Sequence, residues 1–381
     1  MFSIKKIIYH LYSKIYRKIF YKIQQVAEKF FSYEYSYNHL IKKTNKKNVL
    51  TKEQKKEIDR FYKKYYGKKI SYIWHNCFTK YSGKFDVKYI PTDLFKNYLY
   101  SLKTKDKNYY KILQDKNFLY NIAKSADIKI PKRYFYSINN LFFDSGDNMI
   151  SKETFYNKIS DIGEAFIKPT SIEFTGNAQN CRLINVINGI DTYSKTKIKD
   201  IIDKYYKMDF IVQEKIVCHK SISALYSKSV NTFGLTTLIL NNEIKTMKTV
   251  LKIGMNGNIF DYGGTKSKGL LIPIKEDGTL YDRAFCLNEK KEHFAHPDTG
   301  IVFKNYKIDL FPKVLEAAKK FQSAVPWMPF CGIDFVINDK GDALIVEMEE
   351  PSCAVIQSIL GESFFGDDTE QILSYLKNKK L

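Results

Sequence analysis

A chain of 381 residues is long enough for two or three domains, and its 44% apolar and 27% charged residues are those of an ordinary globular protein. No run of about 18 uncharged apolar residues occurs, so no membrane-spanning helix is expected and the chain reads as cytosolic. The net charge of +21 suits a surface that holds phosphates, but no zinc-finger or aromatic RNA-binding signature accompanies it, so nucleic acid is not the expected partner.

Residues 1–50 carry eleven Lys or Arg against Glu28 and Glu34. Ile4, Ile7, Ile8, Leu11, Ile15 and Ile19 recur at three- and four-residue spacing, with Lys14, Lys18 and Lys22 in a row beside them. This pattern predicts a basic amphipathic helix, packed on the body or lying on an anionic membrane surface. Thr51-Lys-Glu-Gln54 reads as a capping arrangement that opens a second helix. From about residue 130, short β-branched runs at 165–167, 210–212, 235–240, 246–251, 270–274, 332–337 and 343–346 predict strands. Asn241-Asn242, Asp277-Gly278 and Asp339-Lys-Gly341 mark turns between them. An amphipathic helix over 310–323 precedes the last two strands, so the expected class is α+β. The six cysteines form no Cys-x-x-Cys pair and read as reduced thiols.

The strongest chemical signal is Cys331-Gly-Ile-Asp334 through Glu347-Met-Glu349, two apolar strands around an Asn-Asp-Lys-Gly turn. A hairpin brings Asp334 beside Glu347, and Glu349 shares the face of Glu347 because strand side chains alternate. Three converging carboxylates repel one another unless a cation sits among them, and hard oxygen donors suit Mg²⁺. Lys168 closes the apolar run Phe166-Ile-Lys-Pro169, where an ammonium can reach phosphate oxygens. The run ending Gln213-Glu214-Lys-Ile216 fits an interdomain hinge whose backbone could pair with an adenine edge. Lys252, followed by Asp261-Tyr-Gly263-Gly264, could set a cation and backbone N–H groups beside a developing acyl phosphate. His296-Pro-Asp-Thr-Gly300 is a compact turn, with His296 a structural turn residue before it is a catalytic base.

These signals, in this order and together with Asp115-Lys116, Tyr72-Ile-Trp74-His75 and Ser229-Val-Asn231-Thr232, resemble the ATP-grasp superfamily. More narrowly, residues 51–365 resemble its sugar-transfer-associated branch, found near polysaccharide biosynthesis genes. The resemblance implies a nucleotide held between two α+β subdomains, over 116–212 and 213–381, with 51–115 preceding them. Lys116 and Lys168 would touch ATP, Gln213, Glu214 and Ile216 would lie on the adenine hinge, and Asp334, Glu347 and Glu349 would hold Mg²⁺. The implied reaction joins a carboxylate to an amine through an acyl phosphate, with Lys252, Gly263 and Gly264 at the reacting end. The implied substrate is a carboxylate-bearing sugar or a nucleotide- or lipid-linked saccharide. Three positions depart from the family pattern. Gly234 and Lys252 stand where arginines are common, and Glu349 where the last ligand is commonly Asn. Those departures leave a nucleotide-binding scaffold without turnover, or a kinase-like phosphotransferase, as alternatives.

Overall fold

The computed structural model describes residues 48–102, 112–171, 180–261, 269–286, 291–349, 351 and 353–378. The basic helix expected over residues 1–47 lies outside them, as do Gly263 and Gly264. The chain divides into two compact units, one of residues 1–92 with 361–381 and the other Asp93–Leu360.

In the first unit, α1 (Lys52–Tyr65) starts at the expected cap. The Thr51 side chain accepts the Gln54 N–H and the Gln54 side chain accepts the Thr51 N–H, so two otherwise orphaned donors are satisfied. α1 buries Ile58 and Tyr62, while α2 (Ile73–Ser82) ends at Gly83 in the left-handed conformation. Tyr62, His75 and Tyr89 meet edge to face in the core of this unit. A C-terminal helix, Thr369–Asn378, packs on α1.

The second unit opens with α3 (Thr92–Leu102) and α4 (Lys116–Ser125) and then builds two antiparallel sheets. The first sheet comprises β1 (Arg133–Ile138), β2 (Leu141–Asp144), β3 (Met149–Ile150), β4 (Gly163–Pro169), β5 (Arg182–Ile187), β6 (Ile190–Asp191), β7 (Thr196–Lys197) and β8 (Phe210–Glu214). Its order is β3-β2-β1-β8-β4-β5-β6-β7. Helices α5 (Lys152–Ile159) and α6 (Ile198–Tyr205) cover it, with Phe155, Ile159, Ile198 and Ile202 meeting Ala165, Ile167 and Val212 in one apolar core.

After α7 (Lys220–Ser223) the second sheet contains β9 (Thr232–Leu240), β10 (Glu243–Thr246), β11 (Thr249–Gly254), β12 (Gly269–Ile274), β13 (Ala284–Cys286) and β14 (Lys291–His293). Helix α8 (Phe311–Ala324), β15 (Phe330–Ile337), β16 (Ala343–Glu349) and α9 (Ala354–Leu360) complete the unit. The order is β14-β13-β12-β11-β9-β15-β16, with β10 alongside β9. The amphipathic pattern of α8 is used as expected, with Phe311, Val314, Ala318 and Phe321 buried in the core of this sheet.

The run read as one strand over 246–251 is two. Thr246 pairs with Thr237, but Val250 pairs with Gly234, so four steps on one side face three on the other. The extra residue is a bulge at 247–248, which a period-two pattern does not reveal. The turns follow their residues. Asn241 and Asn242 both have positive φ, at 53° and 63°, as a two-residue hairpin turn requires. The class is α+β, and all six cysteines are free thiols. None of the described helices is long and apolar enough to cross a membrane.

Gly278 has φ +86°, and a Cβ there would lie 2.2 Å from the Ile308 carbonyl oxygen. Gly278→Ala is therefore expected to lower stability by more than about 1 kcal/mol, read from the urea midpoint at unchanged m-value.

Candidate functional site

Strands β11, β9, β15 and β16 lie side by side, and their register builds one row of side chains. Gly234 pairs with Val250 on one side and Asp334 on the other, and Asp334 pairs with Glu347. Residues paired directly share a face, so Asp334 and Glu347 point the same way, and Lys252, two residues from Val250, joins them. Glu349 lies two residues beyond Glu347 and opposite Gly332. A bulge between Asp334 and Phe335 follows at once. It shifts the register of the ladder next to the acidic row, as bulges beside functional sites often do.

Lysines neutralise this row. Lys252 Nζ donates to both Asp334 oxygens, at 2.9 and 2.7 Å, and to Glu349 Oε1 at 2.8 Å. Its side chain is 14% exposed and that of Asp334 11%. Burial opposes an ammonium here, but Asp334, Glu349 and Asp261 outweigh it and hold Lys252 well above the ordinary lysine range. Among the described residues, no three carboxylate, imidazole or thiol side chains converge at metal-ligand spacing. Each of the three carboxylates is instead engaged by a lysine.

The helix α4 and strand β4 supply the other cations. Asp115 caps α4, accepting the N–H groups of Asn117 and Phe118, which fixes Lys116 as the first helical residue. Backbone pairing of the Lys116 N–H with the Thr170 carbonyl ties that helix start to the end of β4. The buried Lys116 ammonium reaches Glu347 Oε1 at 2.9 Å. Burial would raise the Glu347 carboxyl, but Lys116, Lys168 and Lys252 together hold it below the usual range. Lys168, near the end of β4, goes the other way. Burial and the neighbouring Lys116 charge lower it to about 8, against the pull of Glu347 and Cys181.

The hinge residues are divided between the sheets. Gln213 is buried in β8 between Arg133 and Phe166. Glu214 closes the first sheet, its carboxylate accepting the Lys132 N–H at 2.8 Å while its own N–H donates to the Lys132 carbonyl. Ile216 packs against the core of the second sheet. The crossing between sheets therefore falls at Lys215, whose ammonium holds Glu164 through both oxygens.

Several contributors were not singled out from sequence. Asp261 accepts from the Thr232 hydroxyl and acts electrostatically on Lys252 and Asp334. A Cβ on Gly269 would lie 2.1 Å from the Asp261 carbonyl oxygen, so these two backbones pass close to one another beside the site. Arg133 is buried between the rings of Tyr120 and Tyr136 and reaches Asn117, the neighbour of Lys116. Only Asp261 left a trace in the sequence, beside a double glycine. His296 is fully buried and supports the site. Its Nε2–H donates to the Gly254 carbonyl at 2.9 Å, two residues from Lys252, and Tyr226 stacks on its ring.

The model of the sugar-transfer associated ATP-grasp family matches residues 96–372. The chain belongs to this family. No curated protein matches it. Among solved structures it is similar to the VanG D-Ala:D-Ser ligase of Enterococcus faecalis, at 15% identity and TM-score 0.40, over 70% of this chain and 62% of that one. It is also similar to an ADP complex of purK, N5-carboxyaminoimidazole ribonucleotide synthetase, at 10% identity and TM-score 0.38, over 64% and 46% of the two chains. An L-amino acid ligase from Bacillus licheniformis gives 11% identity and TM-score 0.37, over 70% and 48%. The match spans less than two thirds of each of these three proteins. Within the ATP-grasp fold of this chain, Lys116 at the start of α4 meets Glu347 on β16, and Lys252 on β11 meets Asp334 on β15 and Glu349 on β16.

Lys168 is expected to be charged below and neutral above pH 8. After ¹³C reductive methylation, one lysine signal should titrate near pH 8 and be missing from Lys168→Met.

Proposed function

We propose that the protein is an ATP-dependent carboxylate–amine ligase, with Mg·ATP bound between the halves 116–212 and 213–381 and residues 51–115 preceding them. The observation that carries this reading is the meeting of Lys116 and Lys168 from the first half with Lys252, Asp334, Glu347 and Glu349 from the second. Family membership supports it, since ATP-grasp names a nucleotide-binding fold.

The paired charges suggest how the site accepts its ligand. Lys116 and Lys168 are point charges suited to triphosphate oxygens. Asp334, Glu347 and Glu349 would hold Mg²⁺ as oxygen donors, since that ion takes one or two carboxylates at a time and completes its shell with phosphate and water. Bound Mg²⁺ would neutralise charge on the transferring phosphoryl group. Ile216, beyond the last ladder pair of β8 at Glu214, would offer backbone to the adenine edge, with Gln213 and Glu214 fixing the strand end. Lys252, with backbone N–H groups of Gly263 and Gly264, would face the acyl phosphate.

In the reaction, a carboxylate oxygen attacks the γ-phosphorus and ADP leaves. The amine nitrogen then attacks the acyl carbon, phosphate departs, and the nitrogen loses its proton. The protein supplies position and charge rather than a nucleophile. We place the carboxylate on a uronic-acid-containing saccharide of capsule or exopolysaccharide biosynthesis, a choice that rests on the family's association with sugar transfer. The basic stripe of residues 1–47 suits peripheral contact with an anionic membrane where such intermediates reside.

Calorimetry should show Mg²⁺-dependent ATP binding that weakens at least about tenfold in both Asp334→Ala and Glu347→Ala. Affinity should fall as pH rises through 8, because phosphate favours charged Lys168 and binding must then take up a proton. Turnover on a panel of uronic acids and amines should release ADP and an amide. ADP released without an amine requirement would indicate a phosphotransferase. Binding with no turnover would indicate a scaffold, the reading favoured by Gly234 and Glu349.

A further inference from the structure

Gly234 sits in a regular part of β9, paired with Val250 and Asp334, so no unusual backbone conformation calls for glycine there. The space above it does. A Cβ on Gly234 would lie 2.6 Å from Lys252 Cε, 3.3 Å from Lys252 Nζ and 3.3 Å from Asp334 Oδ1. The lysine side chain lies across the bare Cα and uses the room that a side chain at 234 would fill. That course delivers the ammonium to three acceptors, Asp334 Oδ1, Asp334 Oδ2 and Glu349 Oε1. An ammonium has three N–H donors, so this arrangement uses all of them.

We propose that Gly234 is a positioning residue whose missing side chain seats Lys252 as the built-in counter-ion of Asp334 and Glu349. A divalent cation arriving alone must displace a buried ammonium of like sign. A cation arriving with a triphosphate brings anions that draw the ammonium off the carboxylates. The site therefore takes metal with nucleotide and discriminates against metal alone. This rests on the metal–nucleotide reading above. It accounts for two departures from the family pattern at once, since Gly234 and Lys252 are two halves of one arrangement.

The test is Mn²⁺ binding, read from the electron paramagnetic resonance signal of the free ion, with and without ATP. The proteins are wild type, Gly234→Ala, Lys252→Met and the double variant Lys252→Met/Asp334→Asn. The group nearest an alanine Cβ is the mobile end of a lysine, so Gly234→Ala can fold with Lys252 turned aside. Wild type should bind Mn²⁺ alone at least about tenfold more weakly than Mn²⁺ with ATP. Gly234→Ala and Lys252→Met should each bind Mn²⁺ alone about tenfold more tightly than wild type, and the double variant should lose that gain. If neither single variant tightens while Mn·ATP still binds, the counter-ion role is overturned and the metal–nucleotide reading stands. Tightening in Lys252→Met but not in folded Gly234→Ala would overturn the part given to Gly234. Folded wild type that takes no Mn²⁺ even with ATP would overturn the underlying reading and this proposal with it.

Discussion

The site depends on one electrostatic constraint. Three carboxylates project from one face of strands β15 and β16, with Asp334 buried, and a buried anion needs a partner. Lys252 meets Asp334 and Glu349 from within the same sheet, and Lys116 meets Glu347 from the start of α4. The second contact matters architecturally, because it joins the helix before the first sheet to the last strand of the second. Removing Lys252 would leave the buried Asp334 carboxylate unpaired, a costlier state than replacing the whole group with apolar side chains.

The same constraint orders the lysines by task. Lys252 faces more than one carboxylate and is held firmly charged. Lys168 shares Glu347 with Lys116, is half-buried, and is held at the edge of losing its proton. An ammonium in that state gains most from an incoming anion. The polarity of the arrangement thus runs from β4 and α4, where cations are in excess, toward β11, β15 and β16, where Asp261 adds to the acids. A ligand with a phosphate end and a bound cation matches that gradient.

Support for the site comes from backbone-level contacts a few residues away. His296 holds the carbonyl of Gly254 at the end of β11, Asp115 holds the first turn of α4, and Glu214 holds the backbone of Lys132. None of these side chains reaches across the site. Each fixes the strand or helix end from which a charged side chain projects, and that is how a fold built of regular elements sets charge positions to within hydrogen-bonding distance.

The sequence by itself determined the local facts. Alternation placed Glu347 and Glu349 on one face, the Asn-Asp-Lys-Gly turn placed Asp334 beside them, and Thr51 with Gln54 fixed the start of α1. Those outcomes depend on neighbours within a few residues, so period and capping chemistry reveal them. Apolar runs marked Lys168 and Lys252, and the family pattern added Lys116, but neither gave their partners. Only the tertiary structure decided that Lys116 pairs with Glu347, that Lys252 rests on Gly234, and that Asp261 and Arg133 buttress the site. It also split the run at 246–251 by a bulge. These depend on which strands lie side by side and in what register. One strand can carry the same pattern in several registers, and packing across the whole sheet selects among them.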